Sequence, residues 1–200
     1  MRKINSFFLL LFALALVIQA QDAKIDEAAP AFKLKDSKGK EHSLSDLKGK
    51  FVVLEWINYD CPFVKKHYDS GNMQKLQKEF TEKGVVWLAI CSSAPGKQGN
   101  FSNEEITKIS ADHNAAFSAY LIDENGETGK KYGAKTTPHM YVINPEGILI
   151  YAGGIDDKPS TDKSDIDGAK NYVAAALNSG LNGKQVEVKL SKPYGCSVKY

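Results

Sequence analysis

The residues of this 200-residue chain best equipped for covalent chemistry are its three cysteines, Cys61, Cys91 and Cys196. Cys61 stands in "NYDCPFVKKHY", directly before Pro62. Proline suits the first position of a helix, where a missing N–H costs nothing, so this spacing predicts Cys61 at a helix N-cap. The thiolate is the nucleophile, and an ordinary thiol, with a pKa of about 8.5, is mostly protonated at neutral pH. Unpaired N–H groups and roughly half a positive charge at a helix start favour the ionised form. Lys65, one turn on, adds a cation on nearly the same face; Lys66 is less well aimed, and Asp60 opposes both. The competing reading is a cysteine packed as a small hydrophobe. A capping position beside a proline is a poor place for one.

A thiol that cycles between oxidation states needs a partner. The position three residues after Cys61 holds Val64, so a local Cys-x-x-Cys pair is excluded. Cys91 ends a buried strand at the edge of the sheet where Cys61 should also lie, but core packing is the favoured reading. Cys196 lies in "PYGCSVKY", a glycine-containing terminal stretch able to fold back over a site and move away again, which makes it the better partner. Glu55, inside the apolar "VVLEWI", is a candidate proton carrier, because burial raises a carboxyl pKa towards neutrality; pairing with a lysine or facing solvent is the alternative. His67 follows Cys61 by six positions, a different helix face at 3.6 residues per turn, and reads as a surface or partly packed histidine. His67, His113 and His139 are too scattered for a metal set. Asp162, Asp165 and Asp167 miss the spacing of a calcium loop and lack its closing Glu. Neither a metal nor a cofactor is expected.

These residues need a scaffold. "FVVLEWI" (51–57) and "GVVWLAI" (84–90) read as strands covered on both faces, and "AYLID" (119–123) as a third. Ahead of them come two short strands around a Ser37-Lys38-Gly39 turn, then a helical turn at Leu44–Leu47. A helix from Pro62 is interrupted near Ser70-Gly71-Asn72 and continues through Met73, Leu76 and Phe80. Further helices are predicted from Asn103, over "GETGKKY", and over "AKNYVAAALNSG" with its end at Gly180. "HMYVINPEGILIYAGG" is a hairpin, and "QVEVKL" a last short strand. Alternating strands and helices of this kind form an α/β sandwich with parallel inner strands.

Bulk properties narrow the function. Twenty-six Lys and Arg against 24 Asp and Glu give a net charge of +2, with none of the basic excess of a nucleic-acid binder. Arg2 and Lys3, the apolar "FFLLLFALALVI" and the small Ala20 have the layout of a secretory signal peptide. Residues 1–20 are therefore expected to be removed and the protein exported, periplasmic or secreted, with no membrane attachment afterwards. Outside the cytosol a disulfide can persist, and three cysteines leave at least one unpaired in a monomer. The reading is a leader over 1–20, one domain over 21–182, and a tail over 183–200 that carries Cys196.

From Ala28 to Gly180 the chain resembles a thioredoxin-like redoxin of the group that includes the alkyl hydroperoxide reductase and thiol-specific antioxidant (peroxiredoxin) relatives. The resemblance rests on "APAFKLKDSKGKEHSLSDLKGKFVVLEW", Cys61 at a strand-to-helix turn, "GAKTTPHMYVINPEGILIYAGGIDD" and the closing "YGCSVKY". It implies a thioredoxin-like sandwich: a central mixed sheet, helices on both faces and an antiparallel edge hairpin. It also implies a cis Thr137-Pro138 bond beside Cys61, with Thr137, Pro138 and Pro62 bordering the substrate, and it matches Glu55 to the buried acid of thioredoxins. Two positions depart from the peroxiredoxin pattern: Asn58 stands where a threonine is usual and Leu54 where a proline is usual. The implied activity is that of an exported thiol oxidoreductase in which Cys61 attacks a disulfide or a peroxide, Cys196 resolves the product, and an external protein reductant resets the pair. Protein thiols, protein disulfides or peroxide are the expected partners. The rival reading is a non-catalytic module that binds peptides in the groove beside Pro138.

Overall fold

The computed structural model describes residues 23–200; the signal-peptide reading of residues 1–20 lies outside the described residues. Among the described residues, nine strands and five α-helices follow in the order β1 (Lys33–Asp36), β2 (Glu41–Ser43), β3 (Val52–Trp56), α1 (Pro62–Asp69), α2 (Asn72–Glu82), β4 (Val86–Cys91), α3 (Asn103–Asp112), β5 (Ala119–Ile122), α4 (Glu127–Tyr132), β6 (Thr136–Thr137), β7 (His139–Ile143), β8 (Leu149–Gly153), α5 (Tyr172–Leu181) and β9 (Cys196–Ser197). Seven strands form one sheet in the order β2-β1-β5-β4-β3-β7-β8, while β6 and β9 form a separate pair. The inner strands β3, β4 and β5 are parallel, which requires the helical crossovers between them. Antiparallel hairpins close both edges, β1–β2 on one side and β7–β8 on the other; the expectation of an edge hairpin was met twice.

Every residue of β3 is buried, because the sheet is covered on both faces. Val53 and Ile57 face the helical layer with Val64, Met73, Phe80 and Leu177. Leu54 and Trp56 face the other layer with Tyr132 and Tyr141. Each such large apolar side chain contributes about 1.5–3 kcal/mol by leaving water, so the strand that leads to Cys61 is held firmly. Glu55 points into the helical layer with Val53 and Ile57, because side chains alternate along a strand.

Two boundaries differ from the sequence reading. The last helix runs past Gly180 to Leu181, and the chain turns at Gly183, φ +66. Gly180 is small for another reason: a Cβ there would meet the Phe51 ring at 2.6 Å. The predicted strand "QVEVKL" reduces to a single bridge between Leu190 and Ala152. Beyond it Gly153, φ +151, lies so close to Ser191 that a Cβ would overlap its Oγ and its carbonyl oxygen. From this point residues 189–200 cross the end of the sheet as a strap.

Candidate active site

Strand β3 delivers the chain to a turn at Asn58-Tyr59-Asp60, where the Asn58 carbonyl accepts from Cys61 N–H at 3.0 Å and the Asn58 side chain accepts from Asp60 N–H at 3.0 Å. Cys61 is the N-cap of α1 with extended backbone (φ −73, ψ 125), and Pro62 occupies the first helical position. The Cys61 side chain caps nothing, so its sulfur is left for other contacts. One is the Thr137 carbonyl, 3.0 Å away, to which the thiol donates. The Thr137-Pro138 peptide bond is cis.

Antiparallel pairing of β6 with β9 sets Cys196 directly across from Thr137, and so beside Cys61, whose thiol bonds the Thr137 carbonyl. Neither cysteine is in a disulfide. Burial pushes the Cys61 thiol up, but the donors around its sulfur, the Cys196 thiol and N–H, Thr137 and the Val64 N–H, favour the ionised form and hold the group below its ordinary value. Burial and the neighbouring Cys61 push Cys196 the other way, up to about 11. The two shifts have opposite sign, so Cys61 is the more acidic of the two thiols. The Thr137 hydroxyl is buried without a hydrogen-bond partner, so it is available to hold the Cys61 sulfur once that sulfur has no proton to donate to the carbonyl. Hydrogen bonds, rather than the lysines, do this work: Lys65 is exposed, and Lys66 is buried with its Nζ donating to the Lys158 carbonyl at 2.9 Å.

The strap is fastened along its length. Ser191 bonds the Tyr151 hydroxyl and the Gly154 N–H, Val198 N–H donates to the Lys135 carbonyl, and the Lys199 carbonyl accepts from Ala94 N–H. Its central anchor is Tyr194, whose hydroxyl donates to Asp156 and lies 3.2 Å from His67 Nε2. Asn72 Nδ2 donates to His67 Nδ1 at 2.9 Å, which leaves the proton of a neutral imidazole on Nε2, facing Tyr194. Burial, and then the Lys66 charge, push His67 down to about 3 and keep it neutral. Phe63 packs edge-on against the Tyr194 ring and Lys66 Nζ lies 5.8 Å from its centre. His67 is therefore fully buried, contrary to the expectation of a surface or partly packed residue. Six positions do turn it away from Cys61, but the face it turns to lies under the strap.

Glu55 is fully buried. Its Oε1 accepts from the Tyr68 hydroxyl at 2.9 Å, and its Oε2 from Trp87 Nε1 at 2.7 Å and Gln77 Nε2 at 3.1 Å. Burial raises its pKa to about 7 against the three donors, which lower it. None of these bonds goes to a cysteine. Cys91 is buried and donates to the Gly99 carbonyl at 3.3 Å; no interaction joins it to Cys61. Asn58 is buried as well, with its amide donating to the Gln98 carbonyl at 3.2 Å. Among the described residues no group of three or more His, Cys, Asp or Glu side chains could hold a metal ion. The structure thus brings Cys61, Pro62, Thr137, Pro138 and Cys196 together and sets Glu55 apart, in the core behind α1. The residues missed from sequence are Phe63, Lys66, His67, Asp156 and Tyr194. Their one visible signal is the 63, 66, 67 spacing, which puts three side chains on one helix face.

The family model described as the AhpC/TSA family matches residues 25–152. The thioredoxin-like protein YneN of Bacillus subtilis is 29% identical over 143 residues, covering 70% of this chain and 79% of that protein. The thiol-disulfide oxidoreductase ResA of Halalkalibacterium halodurans is 26% identical over 138 residues, 68% of this chain and 73% of its own. Among solved structures, an uncharacterized conserved protein from Geobacillus kaustophilus superimposes with a TM-score of 0.74 at 30% identity, covering 88% of this chain and 92% of that one.

Proposed function

We propose, from the premise that this chain belongs to the AhpC/TSA family, that it is an exported thiol-disulfide oxidoreductase in which Cys61 is the nucleophile and Cys196 the resolving thiol. The observation that carries this reading is the register of β6 and β9, which opposes Cys196 to Thr137 while Cys61 bonds the Thr137 carbonyl. The unequal proton affinities of the two sulfurs support the division of roles. The Cys61 thiolate attacks one sulfur of a substrate disulfide; a mixed disulfide forms and the other substrate sulfur leaves as a thiolate. Cys196 then gives up its proton, attacks the Cys61 sulfur and expels the second substrate thiolate. An external protein dithiol reduces the resulting Cys61–Cys196 disulfide. Thr137, Pro138 and Pro62 border the sulfur under attack, and Glu55 is assigned proton movement through the core.

Peroxide can enter the same cycle by oxidising Cys61 to a sulfenic acid, which Cys196 condenses to the disulfide with loss of water. Disulfide exchange is the better supported entry, because Asn58 has an amide committed to Gln98 and Asp60 in place of the usual hydroxyl. The ResA name borne by one relative agrees with this entry. Export rests on the sequence of residues 1–20, and the unit proposed to remain is the domain over 21–182 with its tail over 183–200. No helix among the described residues is long and apolar enough to cross a membrane.

The test is disulfide mapping by mass spectrometry before and after one equivalent of a small disulfide, and in parallel of peroxide. The expected product is one peptide pair joining Cys61 to Cys196 with Cys91 free. A Cys61–Cys91 pair, or no pair at all, would reject the assignment.

A further inference from the structure

Cys61 has no solvent-exposed surface while the strap is in place. No sulfur of another protein can touch it until β9 leaves Thr136 and Thr137, and an incoming chain must then occupy the space that β9 vacates. The strap therefore records what that space accepts. The residue before the cysteine must be glycine: Gly195 has φ +137, and a Cβ there would overlap the Thr137 carbonyl oxygen and lie 2.8 Å from its carbon, both backbone atoms that cannot turn aside. The residue before that enters a closed pocket. Tyr194 packs on Phe63, lies near the Lys66 ammonium, donates to the buried Asp156 and meets His67 Nε2. An aromatic ring with a hydroxyl satisfies all four; an aliphatic side chain leaves Asp156 and His67 without that partner. The cysteine itself follows, in antiparallel register with Thr137.

We infer that the strap is a built-in stand-in for substrate, and that the protein partners of Cys61 are extended segments in which an aromatic hydroxyl residue and a glycine precede the reactive cysteine. The inference rests on the reading of Cys61 as the working thiol and deepens it by naming the substrate class. The exchange balances without a further reagent. With β9 lifted and the substrate strand paired with Thr136 and Thr137, the Cys61 thiolate attacks the substrate cysteine sulfur, the substrate S–S bond breaks and its other sulfur leaves as a thiolate. The substrate strand then yields to the strap, Cys196 loses its proton and attacks the Cys61 sulfur, and the bond to the substrate cysteine breaks, so the substrate disulfide is reduced to two thiols and the enzyme pair is oxidised to the Cys61–Cys196 disulfide. Run in reverse, the same steps oxidise a substrate dithiol.

The experiment uses the full-length Cys196→Ser protein with thionitrobenzoate held on Cys61 as a mixed disulfide, its location checked by mass mapping. Thionitrobenzoate release is followed by absorbance after adding one of four thiols: glutathione, a peptide of the Pro193–Tyr200 sequence, or that peptide with alanine at the Tyr194 or at the Gly195 position. The Cys196→Ser substitution keeps the same strap competing in every run. The native-sequence peptide is expected to react at least roughly tenfold faster than either alanine peptide, a difference of one hydrogen-bonded contact in binding. Equal rates for the three peptides, all releasing thionitrobenzoate, would overturn the inference and leave Cys61 standing as the working thiol. Failure of Cys61 to take up thionitrobenzoate, or to release it to any thiol, would overturn the reading beneath it. Should the Cys196→Ser protein not fold, the oxidised wild-type protein is challenged with the same peptides and the Cys61–peptide adducts are compared by mass.

Discussion

Gly195 packs against Thr137 so tightly that a Cβ at residue 195 would overlap the Thr137 carbonyl oxygen. Gly195→Ala must therefore push β9 off β6 and carry Cys196 away from Cys61. Two of the groups that favour the Cys61 thiolate belong to Cys196, its thiol and its N–H. Their loss leaves burial, which raises the pKa, less opposed. The expected outcome is an upward shift of the midpoint in the pH dependence of Cys61 alkylation, together with slower Cys61–Cys196 disulfide formation. An unchanged alkylation profile would mean that Cys196 does not set the acidity of Cys61.

Tyr194→Phe keeps the ring between Phe63 and Lys66 but removes the hydroxyl that joins His67 to Asp156. His67 Nε2–H and a buried carboxylate oxygen are each left one partner short. The expected cost is about 1–3 kcal/mol, seen as a lower denaturation midpoint in urea with an unchanged slope. The variant should also form the Cys61–Cys196 disulfide more slowly, since Cys196 lies two residues beyond the lost anchor. A stability loss without a slower disulfide would mean that Tyr194 holds the strap down but does not aim it.

The strands and the cysteine-capped helix were legible because each is written locally: continuous apolar runs for buried strands, and Cys-Pro for a helix start. The proximity of Cys196 to Cys61 was approachable from sequence, since Val64 bars a local partner and a terminal stretch can fold back where Cys91, in a strand, cannot. The anchor of the strap was not legible. His67 reads as a polar residue turned away from the thiol, and only the return of a segment 127 residues later makes that face an interior one. Lys66, read as the less well aimed cation, is indeed turned from Cys61, and the same strap covers it. A helix face that looks amphipathic in one dimension can be covered by a distant strand, and composition carries no mark of it. The position of Glu55 in an apolar strand did signal burial, but not that Trp87, Tyr68 and Gln77 would enclose it.

The three cysteines should separate cleanly by substitution. Cys61→Ser abolishes disulfide reduction and peroxide consumption. Cys196→Ser traps the mixed disulfide or sulfenic acid on Cys61, and repeated peroxide drives it to the irreversible sulfinic form, a gain of about 32 Da for two oxygens. Cys91→Ser leaves turnover unchanged, because its sulfur contacts Gly99 and the Tyr120 side chain rather than the site. It lowers stability by about 1 kcal/mol, the usual scale for a modest core change. Loss of turnover in Cys91→Ser at full fold would place Cys91 in the cycle.

Glu55 offers a test in which stability and turnover answer different questions. Its folded pKa is raised from 4.5 to about 7, chiefly by burial. Between these values the folded protein keeps a proton that the unfolded chain has released, so stability falls as pH rises through this window and is constant above it. Applied to that shift, the linkage amounts to about 3 kcal/mol. Burial also depresses His67 to about 3 and His139 to about 4; these act in the opposite sense below about pH 6.5, but they are common to wild type and variant and cancel in the difference. Glu55→Gln resembles the protonated carboxyl in shape and neutrality, with one carbonyl for Trp87 and Gln77 and one donor for Tyr68. The variant should therefore match wild type near pH 4.5 and exceed it by up to about 3 kcal/mol above pH 7, measured as the difference between urea midpoints across that range. Turnover is the separate readout. If Glu55 moves protons, Glu55→Gln slows it by roughly 10²-fold and removes an inflection near pH 7 from the rate profile. A stability gain with an unaltered rate profile would confine Glu55 to the core, as its lack of any bond to Cys61 or Cys196 allows, and would leave the Cys61–Cys196 pair to exchange its proton between its own two sulfurs.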